Sequence, residues 1–295
     1  MDIRRLTDAD MPVVIALLEA DPIAAAMLTA RVHMSGVSRS GGDMWGAFRH
    51  GHLHALAHSG GTLTISGAPA DAAAGEAVAA LGTFLRRFPR RCMSILGPSR
   101  LVAHVWPPLA TTWGPPREVR PRQPLLLTMG QVPAPIPLRS PSQPTVTMAT
   151  PGDVTMLFQP SVDMFTAEVG VSPLLGSTAQ AYRARLALLV ANQRVLIAKD
   201  DHGVVFKAEI AAVTAHTCHI QGVWVRPQLR GLGIGTQAMV QTVAIARRFA
   251  PSVSLYVNDY NKWAPWRPSI SRSFPTHTTV GCVVSEVVYR LASHH

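Results

Sequence analysis

Apolar positions along this chain switch between period two and period three to four, and the switches mark out elements. The second half is the clearer. A strand is expected over 145–149, and Pro151-Gly152-Asp153 opens a helix with Val154, Leu157, Phe158, Val162 and Phe165 on one side. Ser177, with Gln180 three residues later, forms a capping box for a second helix that carries Tyr182, Leu186, Leu189 and Val190 at helical spacing. Strands are expected over 194–199, 204–213 and 218–225. The first two are joined by the turn Asp200-Asp201-His202-Gly203. A helix to about residue 249 and a strand over 253–257 follow. The first half repeats this rhythm more loosely: helical segments near 9–19 and 22–33, strands over 44–48, 52–57 and 62–65, a helix over 71–88 and a strand over 92–96. Prolines crowd from Pro107 to Pro151, and 131–144 lacks any apolar period. That stretch reads as a stiff linker, so the expected organisation is a domain over 1–130, a linker over 131–144 and a domain over 145–295.

Between the last expected strand-to-helix pair lies Gln228-Leu229-Arg230-Gly231-Leu232-Gly233-Ile234-Gly235. Alternating glycines let backbone pass close to a ligand. Several N–H groups then converge at the positive end of a helix, which favours an anion, and pyrophosphate is the candidate guest. Arg230 adds a fixed positive charge. A dinucleotide fingerprint requires G-x-G-x-x-G, but here the third glycine falls one place early and Thr236 takes its position. A P-loop requires a lysine that the loop lacks. A tight structural turn is the competing reading, but three alternating glycines weaken a helix start without any folding benefit.

What remains, Q/R-x-x-G-x-G/A after Val223-Trp224-Val225-Arg226-Pro227, resembles motif A of the GNAT family of N-acetyltransferases. The order β-α-α-β-β-β-loop-α-β matches that family's core over about residues 145–262. The resemblance implies an α+β fold, a mixed and mostly antiparallel sheet flanked by helices. The first half then reads as a second, degenerate GNAT-like α/β domain, as in two-domain actinobacterial acetyltransferases, or as an unrelated α+β substrate module. The resemblance further implies acetyl-CoA as co-substrate and an amine of a protein or small molecule as acceptor. Pantetheine would lie along Val223, Trp224 and Val225. Pyrophosphate would lie on Arg230, Gly231, Leu232, Gly233, Ile234, Gly235 and Thr236, with Asn258 and Asn261 completing the cofactor side. An acyl-CoA-binding or regulatory protein with impaired catalysis is the alternative function.

Transfer to an amine needs a base to take its proton. No acidic residue lies between Ile210 and Arg226, so Glu209 on the preceding strand is the first candidate and Glu168 the second. Lys207 and Glu209 share a strand face, so a structural ion pair is the competing reading. His219 and Gln221 could orient a water, although a satisfied, half-buried histidine is the simpler account of His219.

The end of the chain departs from the family pattern. Asn261-Lys262-Trp263-Ala264 begins the closing motif, but Pro268 stands where its tyrosine, the general acid, is expected. Pro265 and Pro268 oppose a helix. From residue 263 the tail is rich in Trp, Ser, Pro, Thr and His. Either the reading frame shifts near codon 262, or this is a divergent ending in which Val280–Leu291 supplies replacement strands. Neither Tyr256 nor Tyr260 can be assigned as the acid.

Composition narrows the remaining classes. At 47% apolar, the chain can build real cores. No apolar run reaches the ~18 residues of a membrane span, and the first residues lack the apolar region of a signal peptide. The three cysteines, Cys92, Cys218 and Cys282, are too scattered for a disulfide framework or a metal pair, so a cytoplasmic setting is expected. The net charge of +10 is almost all arginine, with lysine only at Lys199, Lys207 and Lys262. It suits a phosphorylated co-substrate, and no nucleic-acid module accompanies it. His52, His54 and His58 could share a strand face, but no acidic or cysteine partner is near in sequence, so no metal is expected. A homodimer is compatible with all of this.

Overall fold

The structure, a computed structural model, describes residues 1–128, 145–175, 177–257 and 280–291. The elements in chain order are β1 (Asp2–Arg5), α1 (Met11–Glu19), α2 (Ala26–Ser35), β2 (Asp43–Arg49), β3 (His52–Ser59), β4 (Thr62–Gly67), α3 (Ala74–Leu85), β5 (Ser94–Pro98), α4 (Ser99–Trp113) and β6 (Pro116–Thr128). Then come β7 (Thr147–Met148), α5 (Val154–Val169), α6 (Ala179–Ala191), β8 (Val195–Asp200), β9 (Gly203–Val213), β10 (Cys218–Val225), α7 (Ile234–Ala246), β11 (Val253–Tyr256) and β12 (Val280–Leu291). The expected linker over 131–144 lies outside the described residues.

Two compact units result, one built mainly from Met1–Leu126 with the end of the chain, the other mainly from Leu127–Leu255. In the first, the strand order is β1-β2-β3-β4-β5-β12-β6. Its pairings β1–β2, β2–β3 and β3–β4 are antiparallel, and β4–β5 is parallel. In the second, the order is β11-β10-β9-β8-β7, antiparallel except for β10–β11. Both units therefore follow one plan, in which a pair of helices precedes an antiparallel meander and a further helix crosses over to a parallel strand. That is the mixed, helix-flanked sheet expected from the sequence, built twice.

Alternation sets the cores. On β4 the even steps bury Leu63 and Ile65 against Val78 and Leu81 of α3 and Val102 and Val105 of α4. The opposite face packs Leu56 and Met44 against Val14, Leu18, Leu28 and Val32 of α1 and α2. In the second unit Val195, Ile197, Val204 and Trp224 meet Leu157 of α5 and Leu186 and Val190 of α6. Each such aliphatic side chain contributes roughly 1.5–3 kcal/mol when taken from water. Cys92 and Cys218 are free and buried, one in each unit, and desolvation pushes their thiols up to about 11 and about 12.

Several elements differ from the expectation. α4 was not expected, because Pro107 and Pro108 both sit inside it. Each proline removes a helix N–H, but the packing of Leu101, Val102, Val105 and Leu109 into the core outweighs that loss. Gly82 of α3 makes the close approach possible: a β-carbon there would lie 2.7 Å from Pro108 Cγ and 2.7 Å from the Val105 carbonyl. The capping box at Ser177 is replaced by a single cap one residue later. Thr178 is in extended conformation, and its hydroxyl accepts from the Ala181 N–H at 3.1 Å. Among the described residues no helix is long and apolar enough to cross a membrane.

Candidate functional site

β9 is buried along almost its whole length, so its chemistry is set by its two charged residues. Lys207 and Glu209 lie two positions apart and point to one face, where their residues are 0% and 3% exposed. Lys207 Nζ donates to Glu209 Oε1 at 2.7 Å. Across the ladder Glu209 faces Gln221 and Lys207 faces Trp224, so two residues of β10, Gly222 and Val223, oppose Ala208 alone. This is a β-bulge, and Gly222 makes it with φ +59°. Gln221 Nε2 reaches Glu209 Oε2 at 3.4 Å. A β-carbon on Gly222 would stand 3.1 Å from Met164 Cε of α5. Tyr182 of α6 donates its hydroxyl to the Ser161 carbonyl at 3.2 Å. Burial, followed by the charge of Glu209, raises that hydroxyl above its usual range.

The end of β10 is clamped. Arg226 makes two hydrogen bonds to the Asp200 carboxylate, at 2.8 and 2.9 Å, and a third to the Val204 carbonyl at 3.0 Å. Its fork matches the carboxylate, which is held below the ordinary range chiefly by that contact. After a short 3-10 turn over Pro227–Leu229, Arg230 Nε turns back to the Val225 carbonyl at 3.0 Å.

Gly231 and Gly233 follow with φ +80° and +85°, in the left-handed region where a side chain is disfavoured. Space around Gly231 is open, with nothing within 4 Å of an added β-carbon. At Gly235, by contrast, an added β-carbon would stand 3.1 Å from Val225 Cγ2. Gly233 is the residue before α7 and supplies no side-chain cap. The leading N–H groups of that helix are thus left for another acceptor. Among the loop residues Leu232 is exposed, Ile234 is buried and Thr236 is half-buried.

The parallel ladder between β10 and β11 pairs Cys218, His219 and Ile220 with Val253, Ser254 and Leu255. Among the described residues it goes no further, so it stops before the bulge. Val223 and Val225 are half-buried beyond that point and Trp224 is buried. Asn258 and Asn261 lie outside the described residues, as do Pro268 and the rest of the closing motif.

The structure thus brings Glu209, Gln221 and the bulge together, and places the glycine loop after the same strand. Glu168 is exposed on the last turn of α5, four residues beyond Met164. His219 is buried. Its Nδ1 shares a hydrogen bond with Ser254 Oγ at 3.0 Å, and desolvation lowers its ring to about 4, which keeps it neutral. Sequence reasoning missed Tyr182 and Met164 as neighbours of the site, because helical spacing marks Tyr182 only as core and leaves Met164 off the apolar side of its helix. The Arg226–Asp200 clamp was also missed. Its signal was an arginine ending one strand and an aspartate starting the turn of another.

The equivalent helix of the first unit, α3, also has no side-chain cap at its N-cap residue, but a carboxylate stands just before it. Asp71 precedes α3, and its carboxylate accepts from the Ala73 N–H at 2.9 Å and pairs with His54 Nδ1 at 2.7 Å. Burial alone would raise the Asp71 carboxyl, but these bonds outweigh it and hold it below the usual range. The aspartate is seventeen residues from His54 in sequence, beyond the reach of a local motif. His58 Nε2 is engaged separately, with the Ser40 carbonyl at 3.1 Å. Among the described residues no group of three His, Cys, Asp or Glu could hold a metal.

Two family models match parts of the chain. Residues 42–157 match a family model described as Domain of unknown function (DUF4081), and residues 175–264 match that of the Acetyltransferase (GNAT) family. No curated protein matches the chain. Among solved structures, a GCN5-related N-acetyltransferase from Sphaerobacter thermophilus is 18% identical with a TM-score of 0.59, covering 98% of this chain and 94% of that one. A GNAT-family acetyltransferase from Colwellia psychrerythraea is 11% identical with a TM-score of 0.57, covering 99% and 100%. A tandem GNAT protein from the clavulanic acid biosynthesis pathway is 10% identical with a TM-score of 0.53, covering 100% and 99%. At these identities the shared property is the fold, and it extends over both units. The bulged strand, the glycine loop and the start of α7 all fall inside 175–264, the part of the chain that matches the GNAT family of acetyltransferases.

Proposed function

We propose that the chain is an N-acetyltransferase that moves an acetyl group from acetyl-CoA to a primary amine of a protein or small molecule. The observation that carries this reading is the bulged end of β10 leading into two left-handed glycines at a helix N-terminus with no side-chain cap. The residues present fit the co-substrate: open space at Gly231, a start of α7 with no side-chain cap and a positive Arg230 suit pyrophosphate. Val223, Trp224 and Val225 would offer backbone to the pantetheine arm. Gly231, Leu232, Gly233, Ile234, Gly235 and Thr236 would surround the phosphates, with Asn258 and Asn261 beyond.

When bound, the thioester supplies an electrophilic acyl carbon. Glu209 accepts the proton that the acceptor nitrogen sheds as its bond to that carbon forms and the carbon–sulfur bond breaks. The proton then returns, through solvent or an acid not yet assigned, to the leaving sulfur. Gln221 orients the carboxylate from across the ladder. The basic character of the chain favours an acidic, phosphorylated co-substrate by long-range attraction.

One observation favours a second reading, an acyl-CoA-binding protein with impaired catalysis. Glu209 already holds an ammonium at 2.7 Å, so its carboxylate is engaged before any acceptor arrives. Calorimetry with acetyl-CoA, combined with thiol release across a panel of amines, tests both readings. Binding with turnover supports the transferase. Binding without turnover of any amine supports the second reading, and no binding defeats both.

A further inference from the structure

We infer that Lys207 is a positioning residue, whose buried ammonium holds Oε1 of the Glu209 carboxylate beside the bulge and leaves Oε2 as the freer oxygen. The inference rests on the transferase reading for what that carboxylate does, but the ion pair can be tested without turnover.

A lysine that is 0% exposed is unusual, because taking an ammonium out of water is costly unless a counter-charge meets it. Replacing such a pair by packed apolar residues is often neutral or stabilising, so stability alone is a poor account of it. Its geometry supplies a better one. Lys207 takes Oε1 at 2.7 Å, whereas Oε2 has only the long 3.4 Å contact from Gln221. The two oxygens are therefore unequal: Oε1 is locked on the side where β10 bulges, 3.4 Å from where a Gly222 β-carbon would stand, and Oε2 is the freer of the two.

Lys207 is itself held in place by β10, since it faces Trp224 across the ladder, and Trp224 packs into the core with Leu157 and Leu186. The elements around Glu209 bring few other charges. α6 presents Tyr182, which interacts electrostatically with Glu209. α5 brings the neutral Met164 to the bulge, β8 places Val195 opposite, and β10 contributes the neutral Gln221. Among the described residues Lys207 is the cation in contact with this carboxylate.

The test compares wild type with Lys207→Met and Lys207→Arg, each first shown by circular dichroism to be folded. Glutamate carboxyl carbons are followed by NMR across a pH titration, with Glu209→Gln identifying the Glu209 signal. With Lys207→Met the Glu209 titration should move to higher pH, because the cation that favours its charged form is gone. The acid limb of the rate profile should move the same way, and kcat should fall with little change in acetyl-CoA affinity. Lys207→Arg keeps the charge but not its place, so kcat should fall while the titration stays near wild type. If Lys207→Met does not fold, Lys207→Gln carries the same expectation. A Glu209 titration unmoved in the neutral variant overturns the inference, as does a wild-type kcat in both variants. A titration that moves, in a wild type that turns over no amine, overturns the transferase reading and leaves the ion pair as found.

Discussion

Gly222 and Glu209 share one space: a β-carbon on Gly222 would stand 3.3 Å from Glu209 Cδ and 3.4 Å from Oε1. The missing side chain lets the carboxylate lie against the bulge, and the φ of +59° gives the position a second reason to be glycine. Gly222→Ala should therefore lower stability by ~1–2 kcal/mol through the left-handed conformation. It should also lower kcat by displacing Glu209. A denaturant midpoint and a rate measurement check the two effects. A variant that loses stability but keeps kcat would separate the carboxylate from the reacting site.

Gly233→Asp places a β-carbon and a negative charge at the residue before α7, where φ is +85°. Acetyl-CoA binding should be lost by calorimetry while the circular dichroism spectrum is retained. Gly231→Ala, which adds its β-carbon to open space, should weaken binding less. Unchanged affinity in Gly233→Asp would remove the phosphate cradle from the account.

Glu209→Gln should lower kcat by about 10²–10⁴, the usual contribution of a general base. Acetyl-CoA affinity should barely change. The defect should shrink as pH rises, because free amine then forms unaided. The measurement is a pH–rate profile of both proteins with one accepted amine. Near wild-type kcat at neutral pH would return Glu209 to a structural role and make Glu168 the next residue to substitute.

The full chain should bind one acetyl-CoA, not two. In the first unit the Asp71 carboxylate, held by His54 at 2.7 Å, stands just before the equivalent helix and would repel a phosphate there. Calorimetric stoichiometry reads this directly. Gly233→Asp should leave no residual site, and a surviving second site would show that Asp71 does not keep phosphate out.

Acid stability should depend on Asp10. The hydrogen bond from Arg4, together with those from Thr7, holds its carboxyl down from 3.8 to about 2. A depressed folded value gives stability that is complete above the ordinary value and is lost as pH falls through the folded one. Asp10→Asn should therefore lower the melting temperature at neutral pH and remove the part of the acid-induced loss that falls between these two values. A variant whose acid profile parallels wild type would refute the assignment.

The plan of the second unit was legible because its punctuation is local. Gly203 in a two-strand turn, Pro151 at a helix entry and glycines after β10 each carry their conformation in their own chemistry. α4 was hidden because its prolines oppose a helix locally, while the reason it forms lies at Gly82, a quarter of a hundred residues earlier in the chain. The site divides in the same way. Lys207 and Glu209 could be read as one face from period two alone. Gln221, Gly222, Met164 and Tyr182 come to that face through a register shift and two helix packings, neither of which leaves a mark in the local sequence.

The two buried thiols give each unit a clock. A thiol reacts as thiolate, and burial raises Cys92 and Cys218 far above neutral pH. Each becomes reactive only when its own surroundings open, Cys92 beneath α3 and α4 and Cys218 at the start of β10. With Cys282 replaced by serine, the labelling rate of each remaining cysteine would report the opening of its unit separately. One chain then reads out whether its two copies of the same fold breathe together or apart.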